Sequence, residues 1–158
     1  MACDTIKNGA PFPVVRIERH PDMSCDFGVW FPDKRLSDQE AGEVYSRLCN
    51  GVTDDVLAHP EVDAFYQELT AMHPEIDDIP EEEIDNHDLC PWSVQLDRSP
   101  GHIIMACVWS KAEYVDGLIR SLARKHRLAV YDPQAGRISY PDESREAPDE
   151  QRSWWRFW

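Results

Sequence analysis

Residues 102–109 read HIIMACVW, and every one of them except His102 is apolar. A strand with one face in water alternates apolar and polar residues, whereas a strand that is apolar on both sides is covered on both faces. Residues 26–31, DFGVWF, have the same character and end at Pro32, a residue that suits the end of a strand. The sequence therefore predicts two central strands that lie side by side.

Three helices are predicted from apolar residues at helical spacing. The first follows the capping box SDQE at residues 37–40 and ends at the pair Asn50-Gly51. The second begins at Pro60, because proline is favourable in the first helical turn. The third follows SKAE at residues 110–113, which has the pattern of a second capping box.

The remaining strands are predicted as hairpin partners. Residues 92–97, WSVQLD, alternate apolar and polar side chains and precede a turn, so they should pair with residues 102–109. Residues 128–131 and 137–140 flank a loop with proline and glycine, which suits a second hairpin. This order is typical of an α+β, ferredoxin-like split βαβ fold, with one mixed sheet of about four to five strands and helices mainly on one face.

Length and composition predict a single domain. The chain has 158 residues, of which 42% are apolar, enough for one core. We expect an N-terminal extension at residues 1–22, one domain at residues 23–141, and a flexible acidic tail at residues 142–158 that ends in an aromatic cluster. No apolar run approaches the roughly 20 residues that cross a bilayer, and the five cysteines contain no CxxC pair. A cytoplasmic protein with reduced thiols and no membrane contact is predicted.

The formal net charge of −14 arises mainly from the middle of the chain. Between residues 53 and 88 there are thirteen acids and no lysine or arginine. Such a surface repels a nucleic-acid backbone, so no nucleic-acid partner is expected, whereas it attracts a cationic protein and speeds its association. We call the densest part of this run the acidic segment, which consists of Asp77, Asp78, Glu81, Glu82, Glu83 and Asp85.

The charge pattern predicts a non-enzymatic module that binds a basic protein through the acidic segment. An immunity-type inhibitor that covers the cationic active site of a toxin nuclease would have this charge. Aromatic residues dominate the buried centres of many interfaces, so the predicted anchors are Trp92 and the tail residues Trp154, Trp155 and Trp158. The same tail aromatics could instead mediate self-association.

A small enzyme or ligand-binding domain is the alternative from a different class. Asp85, His87 and Cys90 lie close together in sequence and are candidate ligands of a divalent metal. Their spacing matches neither the two separated ligand pairs of a zinc site nor a calcium loop, and no common catalytic motif occurs in the chain. No catalytic residue and no cofactor is therefore predicted.

Two motifs carry a resemblance to a known group. Ser24, Asp26, Val29 and Trp30 form an S-x-D-x-x-V-W opening, and residues 131–134 read YDPQ. Together they resemble a group of small, mainly bacterial proteins without an assigned activity. The resemblance covers about Met23 to Pro141 and implies domain boundaries but no catalytic residues. Because an aspartate side chain often bonds the backbone two residues on, simple turn chemistry is the favoured explanation of Asp132.

Overall fold

The computed structural model describes residues 24–143. Its strands are β1 (Ser24–Trp30), β2 (Asp97–Ser99), β3 (His102–Val108), β4 (Ala129–Asp132) and β5 (Arg137–Ser139), and its helices are α1 (Asp38–Cys49), α2 (Pro60–Met72) and α3 (Ala112–Lys125). Short 3-10 turns lie at Ile76–Asp78, Glu81–Glu83 and Trp109–Lys111. The predicted N-terminal extension and the tail with Trp154, Trp155 and Trp158 lie outside the described residues.

The strands form one five-stranded sheet in the order β2-β3-β1-β4-β5. As predicted, β1 and β3 lie side by side in its interior and are paired from Ser24 with Val108 to Trp30 with His102. The α+β, ferredoxin-like fold class is confirmed. Every pair of described strands is antiparallel, so the sheet is not mixed as expected. The reason is that each helical crossover skips one strand position, which places an antiparallel strand between the two parallel ones.

The helices cover both faces of the sheet, with two of the three on one side. On that side the odd-numbered residues of β1 and β3, among them Phe27 and Ile103, pack with Phe65 of α2 and Ile119 of α3 in the larger core cluster. On the other side α1 packs on Trp30, β4 and β5 in a smaller cluster. The two helices that connect β1 to β2 thus lie on opposite faces, which explains why both central strands carry apolar residues on both faces.

Gly28 allows α1 to approach β1 closely. A Cβ atom at this position would lie 2.9 Å from the ring of Tyr45 on α1 and 3.3 Å from the ring of Trp30. Carbon atoms do not pack at 2.9 Å without displacement, so the aromatic ring occupies the space that any larger residue would need.

The first capping box is present as predicted, with Ser37 and Glu40 bonded to each other's backbone amides.

Two element boundaries differ from the prediction. Helix α3 begins at Ala112 and has no side-chain cap, because a 3-10 turn at Trp109–Lys111 precedes it. Strand β2 begins at Asp97 rather than at Trp92, although Trp92 pairs with Cys107 of β3 in an isolated antiparallel bridge. The amide of Leu96 donates to the buried carboxylate of Glu75 at 3.0 Å, so this part of the backbone is bonded to a side chain from outside the sheet.

The YDPQ motif has a structural role. Asp132 accepts hydrogen bonds from the amides of Gln134, at 2.9 Å, and Ala135, at 3.2 Å. The Gln134 side chain accepts from the amide of Asp26 at 2.8 Å and donates to its carbonyl at 2.7 Å. The pairs of β1 with β4 end at Gly28 and Tyr131. At Asp26 of β1, the side-chain amide of Gln134 takes the place of a strand partner. Turn chemistry, the favoured explanation of Asp132, is confirmed.

Candidate functional site

The acidic segment lies between the end of α2 and the start of β2. Its side chains are exposed, except that of Glu83, which is half-buried. The ion pairs among residues 24–143 all involve other carboxylates, so no lysine or arginine of this part of the chain neutralises the segment. Glu83 accepts a hydrogen bond from the side-chain amide of Asn86 at 2.9 Å. The segment therefore presents a dense, uncompensated negative charge to solvent.

Most of the other acids in the run lie against basic side chains from other elements. Five of its thirteen acids are paired in this way: Asp55 with Arg47, Asp63 with Arg98, Asp88 with Lys111, Glu61 with His126, and Glu68 with both Lys125 and His126. The Lys111 ammonium lowers the pKa of Asp88, and hydrogen bonds from Lys125 and His126 lower the pKa of Glu68. The candidate surface is thus smaller than the sequence alone indicates.

Buried hydrogen bonds anchor the acidic segment at its start. Glu75 is buried, and its carboxylate accepts from the Tyr66 hydroxyl at 2.9 Å as well as from the amide of Leu96. Both of its oxygens are therefore bonded within the protein, so this member of the acidic run serves the fold and not the surface.

The buried His73 links the end of α2 and Leu89, which lie before and after the acidic segment, to α3. His73 Nδ1 lies 2.9 Å from the Leu89 carbonyl, and Nε2 lies 2.8 Å from the Tyr114 hydroxyl. Because a carbonyl can only accept, Nδ1 carries a proton and donates to Leu89. These bonds connect the end of α2 and Leu89, which follows the acidic segment in the chain, to the start of α3.

Trp92 is not the surface anchor that the sequence predicted. Its side chain is only 2% exposed, and its indole N–H donates to the His73 carbonyl at 3.2 Å. It packs in the larger core cluster between the sheet and the helices. An aromatic residue beside a charged segment is found at interfaces and in cores alike, so burial could not be inferred from composition.

Three exposed apolar side chains accompany the acidic segment instead, and we call them the apolar trio: Met72, Ile84 and Tyr114. Ile84 belongs to the segment itself, and Met72 directly precedes His73, to which Tyr114 is bonded. Tyr114 recurs with the apolar residues of α3 at helical spacing, yet its side chain is 52% exposed. Helical spacing places a residue on a face, but it does not show where that face meets solvent.

The three candidate metal ligands do not form a site. Cys90 is buried in the core, where desolvation raises the pKa of its thiol, whereas Asp85 is exposed. Among residues 24–143, no group of three or more His, Cys, Asp or Glu side chains could hold a metal ion. The metal-binding alternative therefore has no geometric support in the described part of the chain.

A serine, a histidine and an aspartate meet at the β2–β3 turn. Ser99 Oγ lies 2.6 Å from His102 Nδ1, and Asp97 Oδ1 lies 3.9 Å from Nε2. The same hydroxyl accepts from the amide of Gly101 at 3.2 Å, so it closes the turn. His102 is buried, and its Nε2 has no hydrogen-bond partner among the described residues. The arrangement stabilises the hairpin and provides no exposed nucleophile–base pair.

The burial of His102 is expected to make the free energy of unfolding depend on pH. Desolvation lowers the pKa of His102 below the value of 6.5 that it has when exposed. The unfolded chain therefore binds a proton near pH 6.5 that the folded chain does not, and stability falls as the pH falls through this value toward the lower folded pKa. In His102→Gln, urea denaturation at pH 5 to 8 should show a smaller fall than in the wild type. His87→Gln is the matched control, and identical profiles for the wild type and His102→Gln would contradict the expectation.

The comparisons with known proteins leave the site to be interpreted from its own geometry. No described helix has the length and apolar character needed to span a membrane. No family model, no curated protein and no solved structure matches the chain.

Proposed function

We propose that this protein is a non-enzymatic cytoplasmic module that binds a basic protein through the acidic segment. The observation that carries the proposal is the contrast within the acidic run: five acids are paired with basic side chains, whereas the six of the segment have no basic partner among residues 24–143. Carboxylates without cations cost folding energy through mutual repulsion, and a cationic partner removes that cost.

The surroundings of the segment support an interface. Protein interfaces combine apolar and aromatic anchors near the centre with a polar rim, and the exposed Ile84 of the apolar trio lies between Glu83 and Asp85 in the chain. Tyr114 is held by its hydrogen bond to the buried His73, so it loses little conformational freedom on binding. The acidic segment steers the partner, and the trio supplies the area that excludes water.

The partner chemistry that fits best is the active-site cleft of a cationic nuclease. Such a cleft binds phosphates and therefore concentrates lysine and arginine. Six carboxylates within nine residues offer it a comparable density of negative charge. The protein would then act as an immunity-type inhibitor that blocks access of nucleic acid to the enzyme.

A charge-matched pair of variants tests this proposal. The segment variant carries Asp77→Asn, Asp78→Asn and Glu81→Gln. The control carries Asp33→Asn, Asp54→Asn and Glu43→Gln, which are exposed elsewhere on the described surface. Both have the same net charge and the same kinds of substitution, so only the position of the charge differs.

The association rates of both variants are measured by surface plasmon resonance against a panel of purified cationic nucleases at low and physiological salt. For a nuclease that the wild type binds, the segment variant should associate about tenfold more slowly with a weaker salt dependence. The control should change less than about twofold. Equal effects of the two variants, or no binding to any member of the panel, would count against the proposal.

A further inference from the structure

Two cysteines face each other across the central strands. Cys25 of β1 and Cys107 of β3 are direct partners in the antiparallel register. Their exposed fractions are 6% and 0%, and both belong to the larger core cluster. The proposed binding surface does not use them.

The backbone bonds show which kind of cross-strand pair they form. The Ala106 carbonyl accepts from Ser93, and the Val108 amide donates to Pro91, both at 2.9 Å. Because successive residues of a strand direct their backbone groups to opposite sides, the amide and carbonyl of Cys107 face β1. Cys25 and Cys107 are thus a hydrogen-bonded pair, with Cα atoms about 5.5 Å apart in such geometry. Disulfides most often join Cα atoms about 5.5 to 6 Å apart.

The position of Cys25 opposite Cys107 affects the ionisation of its thiol. A hydrogen bond to Cys107, together with burial, raises the pKa of the Cys25 thiol. The carboxylates of Asp132 and Asp26 add to this effect, because they disfavour a nearby thiolate. Both cysteines are free thiols here.

We propose that Cys25 and Cys107 are a dithiol–disulfide couple, which a low-molecular-weight disulfide such as glutathione disulfide oxidises to a cross-strand bridge. When β1 and β3 separate and Cys25 meets solvent, its thiolate attacks one sulfur of glutathione disulfide, which forms a mixed disulfide and releases one glutathione. The Cys107 thiolate then attacks the Cys25 sulfur and displaces the second glutathione. The two thiol protons end on the two released glutathiones, so two cysteines are oxidised and one disulfide is reduced.

The strand geometry makes this bridge strained and readily reduced. Directly opposed Cβ atoms lie about 4.5 to 5.5 Å apart, whereas a disulfide holds them at about 3.8 Å. The strands must therefore move together when the bond forms, and strained disulfides are more oxidising than relaxed ones. The couple responds to the thiol potential of its surroundings and covalently links β1 to β3 when oxidised.

Thiol counting tests the couple. In a full-length background with Cys3→Ala and Cys49→Ala, three of the five cysteines remain, Cys25, Cys90 and Cys107. The protein is equilibrated with glutathione at ratios from fully reduced to fully oxidised, and thiols are counted with a chromogenic disulfide reagent after denaturation. The count should fall from three to one, and peptide mapping should show Cys25 joined to Cys107.

A second arm of the experiment distinguishes slow access to the buried thiols from an unfavourable equilibrium. There the protein is unfolded in urea and refolded in the same glutathione buffers, and both arms should reach the same count. When Cys25→Ala is added to the background, two thiols should be counted at every glutathione ratio. When the matched Cys90→Ala is added instead, the thiol count should fall from two to none. Three thiols at the most oxidising ratio after refolding, or a bridge that includes Cys90, would overturn the proposal.

Discussion

Replacement of Trp92 by alanine is expected to lower the free energy of unfolding by about 3 to 5 kcal/mol. The indole is 2% exposed and fills the core between the sheet and the helices, so its removal leaves a cavity. It also leaves the His73 carbonyl without its donor. Urea denaturation followed by far-UV circular dichroism measures the loss without relying on the deleted fluorophore.

Trp92→Phe is the matched control for this prediction. It keeps most of the aromatic volume and removes the N–H donor, so its loss should be about 1 to 2 kcal/mol. If Trp92→Ala were as stable as the wild type but bound a cationic partner more weakly, Trp92 would be a surface anchor after all.

Tyr114→Ala should have the opposite profile, with a large effect on binding and a small one on stability. The ring is 52% exposed and is bonded to His73 at the end of α2, so in the proposed interface its truncation removes an anchor. We expect a loss of about 2 kcal/mol, or about 30-fold in Kd, for a cationic nuclease that the wild type binds. The effect should appear mainly in the dissociation rate, because steering by the carboxylates is unchanged.

The hydroxyl and the ring of Tyr114 can be tested separately. Tyr114→Phe keeps the ring and removes the hydrogen bond to His73, so it should retain most of the affinity if the ring is the anchor. If Tyr114→Ala bound the nuclease with wild-type affinity, Tyr114 would not be part of the interface. The segment variant provides the comparison, because it should slow association and leave the dissociation rate nearly unchanged.

Local patterns in the sequence predicted most of the architecture. The two central strands, the first capping box and the α+β class depend on periodicity and on bonds between residues a few positions apart. Elements whose limits depend on distant groups were predicted less well. Strand β2 starts late because Leu96 is bonded to Glu75, twenty-one positions away in the chain.

The acidic run shows the same division. The chain by itself determined that negative charge is concentrated in one region, since this is a matter of counting. The tertiary structure decided which carboxylates are neutralised, because their partners Arg47, Arg98, Lys111, Lys125 and His126 come from other parts of the sequence.

Burial of the aromatic residues was likewise decided by the fold. The sequence determined that Trp92 and Tyr114 have amphipathic side chains and that Trp92 follows an acidic stretch. Only the packing of α2, α3 and the sheet placed the first in the core and the second at the surface. Both periodicity and composition are properties of neighbouring residues, whereas burial and ion pairing arise between residues that the chain brings together from afar.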